Sequence, residues 1–299
     1  MNAIRKPQVR GNRIKELLMK VIFLSAALFS TAAVLIICLF LFARGIPAIN
    51  EIGWLNFLTG TRWKPSDVPP SFGILPMIVG SVYATGLAIA MGAPVGILAA
   101  IFISKFSPPK IRRFINAAVG LMAGIPSVVY GYFGMVVIVP AIGRTFRVSG
   151  ASLLAAGIML AIMILPTIIQ LSVSAIDAVP ATYYEGALAV GATHEQSVFR
   201  VVVPAARSGV LSAIILGVGR AIGETMAVTM VIGNQAVMPE SLIRGARTMT
   251  TNIITEMGYA VDLHYDALIA TGVVLFVFIL IINFSFSIIK NRGIKYDGS

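Results

Sequence analysis

Long apolar runs alternate with short polar segments along most of the chain. Each run can cross a hydrocarbon layer of about 30 Å as a helix. The runs occupy residues 21–43, 73–104, 114–140, 150–176, 208–233 and 266–289. Since a bilayer offers no water to backbone amides and carbonyls, such runs form helices there. The pattern predicts an all-α, polytopic membrane bundle of six transmembrane helices, with both termini on one side.

Composition excludes an ordinary soluble domain. Hydrophobic residues make up 58% of the chain and charged residues 12%, whereas about a quarter of the residues of a soluble domain are charged. The mean hydropathy is +0.91. The first run is too long for a signal-peptide core and lacks a small-residue cleavage site, so we expect it to remain as a signal anchor.

The distribution of basic residues predicts the orientation of the bundle. Fifteen lysines and arginines lie in the segments on the side of the termini, and seven lie on the other side. Basic residues near span ends are retained in the cytoplasm, so the termini and loop 177–208 are predicted to be cytoplasmic. The net charge of +11 follows mostly from this topology. No nucleic-acid partner is therefore expected, and the arm at residues 1–20 should contact acidic membrane lipid.

The polar stretch between the fourth and fifth runs, residues 182–204, predicts two short helices. The capping box, in which two side chains bind free amides at a helix start, occurs twice, at Thr182 with Glu185 and at Thr193 with Gln196. Gly191 lies between the boxes and can take the positive φ that ends a helix. Pro204 is expected to close the second helix.

The spacing of this stretch resembles the cytoplasmic loop of ABC-importer permeases, which carries Glu-Ala-Ala-x3-Gly-x9-Ile-x-Leu-Pro. The matching positions are Glu185, Gly186, Ala187, Gly191, Val201, Val203 and Pro204, with glycine and valines replacing an alanine, the isoleucine and the leucine. The resemblance implies a coupling helix that docks into a cleft of an ATPase subunit. The alternative is a solvated linker in which Glu185 only caps a helix.

Prolines and glycines predict how the spans are shaped and packed. The run 73–104 is expected to tilt or to break at Pro94. Three Gly-x3-Gly pairs predict closely packed helices, and they are Gly92 with Gly96, Gly120 with Gly124, and Gly219 with Gly223. Pro126, four residues before Tyr130, frees carbonyls that can line a substrate cavity, although a packing kink is the equal alternative.

The fifth run contains two charges, Arg220 and Glu224. Arg220 lies roughly 15 Å into the bilayer at a helical rise, where an arginine costs about 2.5–3.5 kcal/mol unless it faces protein or water. Four residues apart, the two side chains are predicted to share a helix face. They either neutralise each other as a structural pair, or Arg220 gives a passing anion a transient bidentate partner while Glu224 competes for the same guanidinium.

The stretch from Arg220 through Thr225 to Thr229 resembles the fifth span of phosphate ABC-importer permeases. Residues 63–76 and 126–134 resemble C-type phosphate permeases too, so the similarity extends over roughly residues 60–285. It implies a type I permease fold in a bacterial plasma (inner) membrane, with Arg220, Glu224, Thr225, Pro126 and Tyr130 in the substrate pathway or gate. It also implies a second homologous permease, two cytoplasmic ATPase subunits and an extracytoplasmic phosphate-binding protein as partners.

The domain division expected from these features has three parts. Residues 1–72 hold the cytoplasmic arm, the first span and an outer loop; residues 73–289 form the permease core, with the coupling loop at 177–208; residues 290–299 are a cytoplasmic tail. The outer loop 234–265 is expected to be partly helical at 241–247, and it is either a surface for an extracytoplasmic partner or a solvated interfacial helix. His194 and His264 are expected at the surface rather than as metal ligands.

Other functions remain as alternatives. The chain lacks a Gly-x4-Gly-Lys-Ser/Thr loop, so we expect no ATPase site of its own, and neither a cofactor nor a metal is expected. Another oxyanion, sulfate or molybdate, fits an arginine as well as phosphate does. An ion-coupled secondary transporter would use Arg220 and Glu224 as a relay without ATP. A membrane enzyme is disfavoured because no nucleophile and base pair occurs in the spans.

Overall fold

The computed structural model describes residues 12–294, and these are mainly helical. The elements are α1 (Asn12–Ile52), α2 (Trp54–Thr59), β1 (Trp63–Lys64), β2 (Ser71–Phe72), α3 (Leu75–Ile101), π1 (Phe102–Phe106), α4 (Pro109–Gly124), α5 (Ser127–Phe133), π2 (Gly134–Ile138), α6 (Val139–Phe146), α7 (Leu153–Asp177), α8 (Ala181–Ala189), α9 (His194–Ser197), π3 (Val198–Val202), α10 (Val203–Ala205), α11 (Arg207–Gly223), α12 (Met226–Val231), α13 (Met249–Glu256) and α14 (Asp262–Ile294). The predicted lipid-binding arm lies partly outside the described residues, as does the end of the predicted tail.

Five helical stretches of the described chain are long and apolar enough to cross a membrane, and a bent pair makes a sixth if its arms form one span. The five are Lys15–Ile52, Leu75–Phe106, Ser127–Phe146, Leu153–Asp177 and Asp262–Ser285. The pair joins His194–Ala205 to Arg207–Gly223 at an angle of 66°. The prediction of an all-α membrane bundle is confirmed, but two of the six predicted runs are not single helices.

The third predicted run, 114–140, breaks between α4 and α5. Ile125 is extended there, with φ −71° and ψ 127°, because the ring of Pro126 disfavours a helical conformation in the residue before it. The hydroxyl of Tyr130 donates to the carbonyl of Met122 across the break, at 2.8 Å. The membrane-crossing helix therefore begins after Pro126, and α4 is a separate element.

The fifth predicted run, 208–233, breaks between α11 and α12. Glu224 is extended between them, with φ −69° and ψ 129°. By contrast, α3 passes through Pro94 without the expected break, and the chain stays helical from Leu75 to Phe106. A helical stretch of 32 residues is about 48 Å long, so α3 and π1 together are longer than a perpendicular crossing of the bilayer requires.

Only one of the three glycine pairs packs against another helix. A Cβ on Gly92 would lie 3.1 Å from Ile164, and one on Gly96 would lie 2.8 Å from Ile168, so α3 and α7 approach closely at these glycines. The packing predicted for the other pairs is wrong within this chain. Gly124, Gly219 and Gly223 have no such neighbour within 4 Å, and Gly120 has only Gln170 at 3.9 Å.

Three apolar clusters fill the described bundle. The largest joins α3, α7, α11 and α12 to α5 and α6. A second joins the end of α1 and the first half of α14 to α2, the β-hairpin and α13, so residues 48–72 share a core with the later helices. The third joins the end of α3, α4 and α7 to π3 and the start of α11. We call this third region, which includes α8–α10, the coupling end, and the opposite region with the hairpin and α13 the far end.

At the far end, the short strands β1 and β2 pair antiparallel, with Trp63 opposite Phe72. The helix expected at 241–247 is absent, because the segment forms a single turn, from the amide of Arg244 to the carbonyl of Ser241, and otherwise bonds to neighbouring backbone. Leu153 and Leu154 donate to its carbonyls at Arg244 and Leu242. The helix of this loop is α13, which begins at Met249 and has Thr248 as its N-cap.

Candidate functional site

The first helix of the coupling segment, α8, does not start with the predicted capping box. It begins at Ala181 with Pro180 as its N-cap, and no side chain bonds to the helix start. The carbonyl of Pro180 accepts the amide of Tyr183 at 3.1 Å. Thr182 is therefore already inside the first turn, where its hydroxyl is not at the capping position. The prediction for Thr182 and Glu185 is wrong in this respect.

Gly191 ends α8 as predicted. Its φ is +88°, its amide donates to Leu188 at 2.9 Å, and the amide of Ala192 donates to Ala187 at 3.1 Å. These two bonds form a Schellman motif, which requires a left-handed residue and therefore favours glycine. The sharp turn between the two coupling helices is thus encoded at Gly191.

The second predicted capping box is confirmed at the start of α9. Thr193 Oγ1 accepts the amide of Gln196 at 3.3 Å, and Gln196 Oε1 accepts the amide of Thr193 at 3.1 Å. Pro204 does not close this helix, contrary to prediction. Val203 donates the last bond of π3 to the carbonyl of Val198. Pro204 then lies in the first turn of α10, where a proline is tolerated, and the chain bends only after Ala205.

The coupling segment is exposed on one side and anchored on the other. Glu185, Gly186, Gly191 and Pro204 are exposed, and Ala187 is half-buried. On the inner side, Val198 and Val202 lie in the third apolar cluster. His194 bonds to the hydroxyl of Tyr184 at 2.8 Å and packs on the ring of Phe106, with ring centres 4.7 Å apart. His194 is therefore a packing residue of this segment, not the surface residue that we expected.

Arg220 lies in the last turn of α11 and is half-buried. Its Nη1 donates to Thr167 Oγ1 on α7 at 3.1 Å. Glu224 does not share a helix face with it, because α11 ends at Gly223 and Glu224 takes an extended conformation. The side chain of Glu224 instead accepts the amide of Ala227 at 3.2 Å and so caps the start of α12. The predicted face-sharing pair is wrong.

Two threonine hydroxyls bond to the backbone of the break between α11 and α12. The hydroxyl of Thr225 donates to the carbonyl of Gly223 at 3.2 Å. The hydroxyl of Thr250, on α13, donates to the carbonyl of Glu224 at 3.1 Å. The break therefore leaves Arg220 on α11 and Glu224 in the extended link before α12.

Pro126 and Tyr130, two of the residues predicted for the pathway, lie beside this break. Tyr130 is buried in the same apolar cluster as Ala221 and Ala227, the residues that flank the break. A Cβ on Gly131 would lie 2.8 Å from the Cα of Ala227, so α5 and α12 nearly touch. Pro126 begins α5 and so sets where this contact forms. The structure thus brings the Pro126 to Tyr130 turn to the Glu224 to Thr225 break.

Two polar networks and the partner of Arg220 could not be predicted from the sequence. At the far end, Glu256 binds Trp63, Arg247 and His264, and His264 is nearly buried rather than at the surface. At the coupling end, Asp177 binds Ser104 and Arg112. In the sequence, the only signal for Thr167 is its position directly after Pro166 in the fourth apolar run. In residues 12–294, no group of three or more His, Cys, Asp or Glu side chains is placed to hold a metal ion.

Comparison with known proteins supplies the family. The family model described as binding-protein-dependent transport system inner membrane component matches residues 92–293. A probable ABC transporter permease protein YqgH of Bacillus subtilis is 40% identical over 286 residues, covering 92% of this chain and 92% of that protein. A phosphate transport system permease protein PstC of Mesorhizobium japonicum is 36% identical, covering 94% and 95%.

Solved structures share the fold at low sequence identity. A bacterial ABC transporter involved in the import of the acidic polysaccharide alginate matches with a TM-score of 0.61 at 17% identity, covering 94% of this chain and 99% of that one. The MetNI methionine ABC transporter in an inward-facing conformation matches with a TM-score of 0.55 at 21% identity, covering 74% and 94%. The fold is therefore that of type I ABC-importer permeases, as predicted, and the chain belongs to the family of binding-protein-dependent transport system inner membrane components.

Proposed function

We propose that this chain is the channel-forming membrane subunit of an ATP-driven importer that carries inorganic phosphate into the cytoplasm by alternating access. The observation that carries the proposal is Arg220, a half-buried cation in an apolar helix. Within residues 12–294, its guanidinium bonds to the neutral hydroxyl of Thr167 and to no carboxylate. Its charge is therefore available to an anion, and the PstC name of several relatives points to phosphate.

Weak and exchangeable binding is what conduction requires. Glu224 is held by the amide of Ala227, so it adds a negative potential near the site without occupying the guanidinium. A phosphate that binds Arg220 is thereby kept from binding too tightly. Thr225, Pro126 and Tyr130 would act as gating residues. Thr225 lies at the break between α11 and α12, and Pro126 and Tyr130 lie at the facing break between α4 and α5, and the helices would pivot at these two breaks.

Force would come from two ATPase subunits at the coupling end. The exposed edge formed by Glu185, Gly186, Ala187 and Gly191 would dock on an ATPase, with Pro204 below it. The residues buried behind α9 connect that edge to α7 and α11, so a displacement of the coupling segment would be passed to the helices that carry Thr167 and Arg220. A second homologous permease and an extracytoplasmic phosphate-binding protein would complete the assembly.

The orientation and domain division follow from the same proposal. The coupling end and both termini would face the cytoplasm of a bacterium, in accord with the excess of Lys and Arg there. Residues 1–72 would provide the arm, first span and outer loop, residues 73–289 the permease core, and residues 290–299 the tail. The chain would have no ATPase activity of its own.

The test is phosphate uptake by the assembled transporter carrying Arg220→Ala. A hydrogen bond to a charged group contributes about 1.5–3 kcal/mol, so uptake should fall roughly tenfold or more. Arg244→Ala is the matched control, because Arg244 is an exposed arginine that pairs with the equally exposed Glu240, and uptake by this variant should stay normal. Membrane insertion and co-purification of the ATPase should be unchanged in both variants.

Three results would contradict the proposal. Normal uptake in Arg220→Ala would leave the arginine with a structural role. Uptake that survives ATP depletion but collapses with the ion gradient would indicate a secondary transporter. Uptake of sulfate or molybdate that phosphate does not compete with would assign the transporter to another oxyanion.

A further inference from the structure

Among the described residues, the side chain of Arg220 has one hydrogen-bond partner, Thr167, which lies on another helix. It lies on α7 directly after Pro166, and its Oγ1 accepts Nη1–H of Arg220 at 3.1 Å. The two helices are in close contact one turn away, where a Cβ on Gly217 would lie 3.2 Å from Ile168. The register of α7 against α11 therefore fixes the distance between these two side chains.

The hydroxyl of Thr167 differs from most other hydroxyls in the described helices. Helical serines and threonines often bond back to a carbonyl of the preceding turn. Here Thr31, Ser81, Ser174 and Thr271 each bond to the carbonyl four residues earlier. No such bond is present for Thr167. Its oxygen is instead used by the guanidinium of Arg220.

A neutral acceptor suits an arginine that must bind an anion. The guanidinium has five N–H donors in a rigid, planar fork. A carboxylate partner would orient this fork but would also neutralise it. A hydroxyl accepts one N–H and so orients the guanidinium. The other donors and the full charge stay available to the ligand. Glu224 is directed elsewhere, because it caps α12.

We propose that Thr167 is the positioning residue of the anion pathway, which holds the guanidinium of Arg220 in the orientation that binds the passing phosphate. This inference rests on the proposed function and adds to it a residue on a second helix. Because α7 leads directly into the coupling segment, a shift of α7 against α11 would move Thr167 relative to Arg220. The orientation of the fork would then differ between conformations of the transporter.

The test compares Thr167→Val with Thr167→Ser in the assembled transporter. Valine has nearly the same shape but no hydroxyl, and serine keeps the hydroxyl. Thr271→Val is the matched control, because Thr271 is a buried helical threonine whose hydroxyl bonds only to its own helix. Maximal phosphate uptake, normalised to the amount of transporter in the membrane, should fall roughly tenfold in Thr167→Val. It should stay near normal in Thr167→Ser and Thr271→Val, and the KM should change little in all three.

A second comparison tests whether Thr167 acts through Arg220. A lysine ammonium is a compact charge without a planar fork to orient, so Thr167→Val should have little further effect in an Arg220→Lys background. The same fold-loss in both backgrounds would overturn the proposal, as would normal uptake in Thr167→Val. If Thr167→Val fails to insert, Thr167→Ala is judged by the same criteria. Normal uptake in Arg220→Ala would instead refute the pathway role of the arginine itself, which is a separate result.

Discussion

The two ends of the bundle each contain a carboxylate that joins several elements, and the two differ in their access to water. At the far end, the Glu256 side chain is 9% exposed. It accepts Nε1–H of Trp63 at 2.7 Å and Nη1–H of Arg247 at 2.5 Å, and it lies 2.8 Å from His264 Nε2. One carboxylate thus ties the β-hairpin, the 234–248 segment, α13 and α14 together.

At the coupling end, Asp177 has the same type of partners in a wetter setting. It accepts the hydroxyl of Ser104 at 2.6 Å and an N–H of Arg112. The Asp177 side chain is 33% exposed and that of Arg112 is 37% exposed. It joins π1, α4 and the end of α7, four residues before the coupling helix α8 begins.

The difference indicates which end is built to stay fixed and which can be displaced. A buried ion pair that loses one partner leaves an uncompensated charge, which is costly, so the far end resists rearrangement. An exposed pair can exchange its partners for water at little cost. In the proposed mechanism, the coupling end would therefore adjust when the coupling segment is pushed, while the far end would serve as the fixed support.

The largest effect is expected from Glu256→Gln. The change leaves the guanidinium of Arg247, only 15% exposed, without its counter-ion, and breaking a buried pair in this way costs about 3–5 kcal/mol. Thermal unfolding in detergent, followed by tryptophan fluorescence, should show a clearly lowered midpoint. Glu240→Gln is the control, since Glu240 forms an exposed pair with Arg244, and its midpoint should hardly change. Equal midpoints for the two variants would refute a fixed far end.

The far-end network also shows what the sequence could not predict. Arg247, Glu256 and His264 all lie in one loop that was recognised as polar, but Trp63 is 193 residues away from Glu256, and no local pattern joins them. The Arg220 to Glu224 spacing failed for the opposite reason. Helical periodicity put both on one face, yet the chain leaves the helix at Gly223, and a break inside an apolar run gives no hydrophobic signal. Long apolar runs, the Gly191 turn and the Thr193 box were predictable because their causes are local.

Gly191→Ala should have the next largest effect. A φ of +88° is unfavourable for any residue with a Cβ, at about 1–2 kcal/mol, and there is open space around the site, so strain is the only cost. Gly186→Ala is the control in the same helix, because its backbone is helical and alanine is favoured there by about 1 kcal/mol. Hydrogen exchange of residues 187–192 should become faster in Gly191→Ala and slower in Gly186→Ala. Unchanged exchange in the Gly191 variant would contradict the strain argument.

A smaller effect is expected from the capping threonines. Both fit the Thr-x-x-Glu/Gln pattern, but only one of them caps a helix in the structure. Thr193→Ala removes the acceptor of the Gln196 amide and should destabilise the start of α9 by about 1 kcal/mol. Thr182→Ala should have almost no effect, because Pro180 holds the N-cap of α8. Hydrogen exchange at the two helix starts measures both. Equal acceleration at both would show that Thr182 also caps, contrary to the structure.

The smallest change in stability is expected from Asp177→Asn, although the Asp177 side chain joins three elements, π1, α4 and α7. Its ion pair is about one-third exposed, and pairs of this kind contribute less than about 1 kcal/mol. The asparagine can still accept from Ser104 or Arg112, and the freed charge of Arg112 reaches water. The unfolding midpoint, measured beside that of Glu256→Gln, should therefore stay close to that of the unmodified chain. A drop as large as that of the Glu256 variant would mean that α4 and α7 are held rigidly at the coupling end too. A displacement of the coupling segment could then not be accommodated by a change in the contact between these two helices.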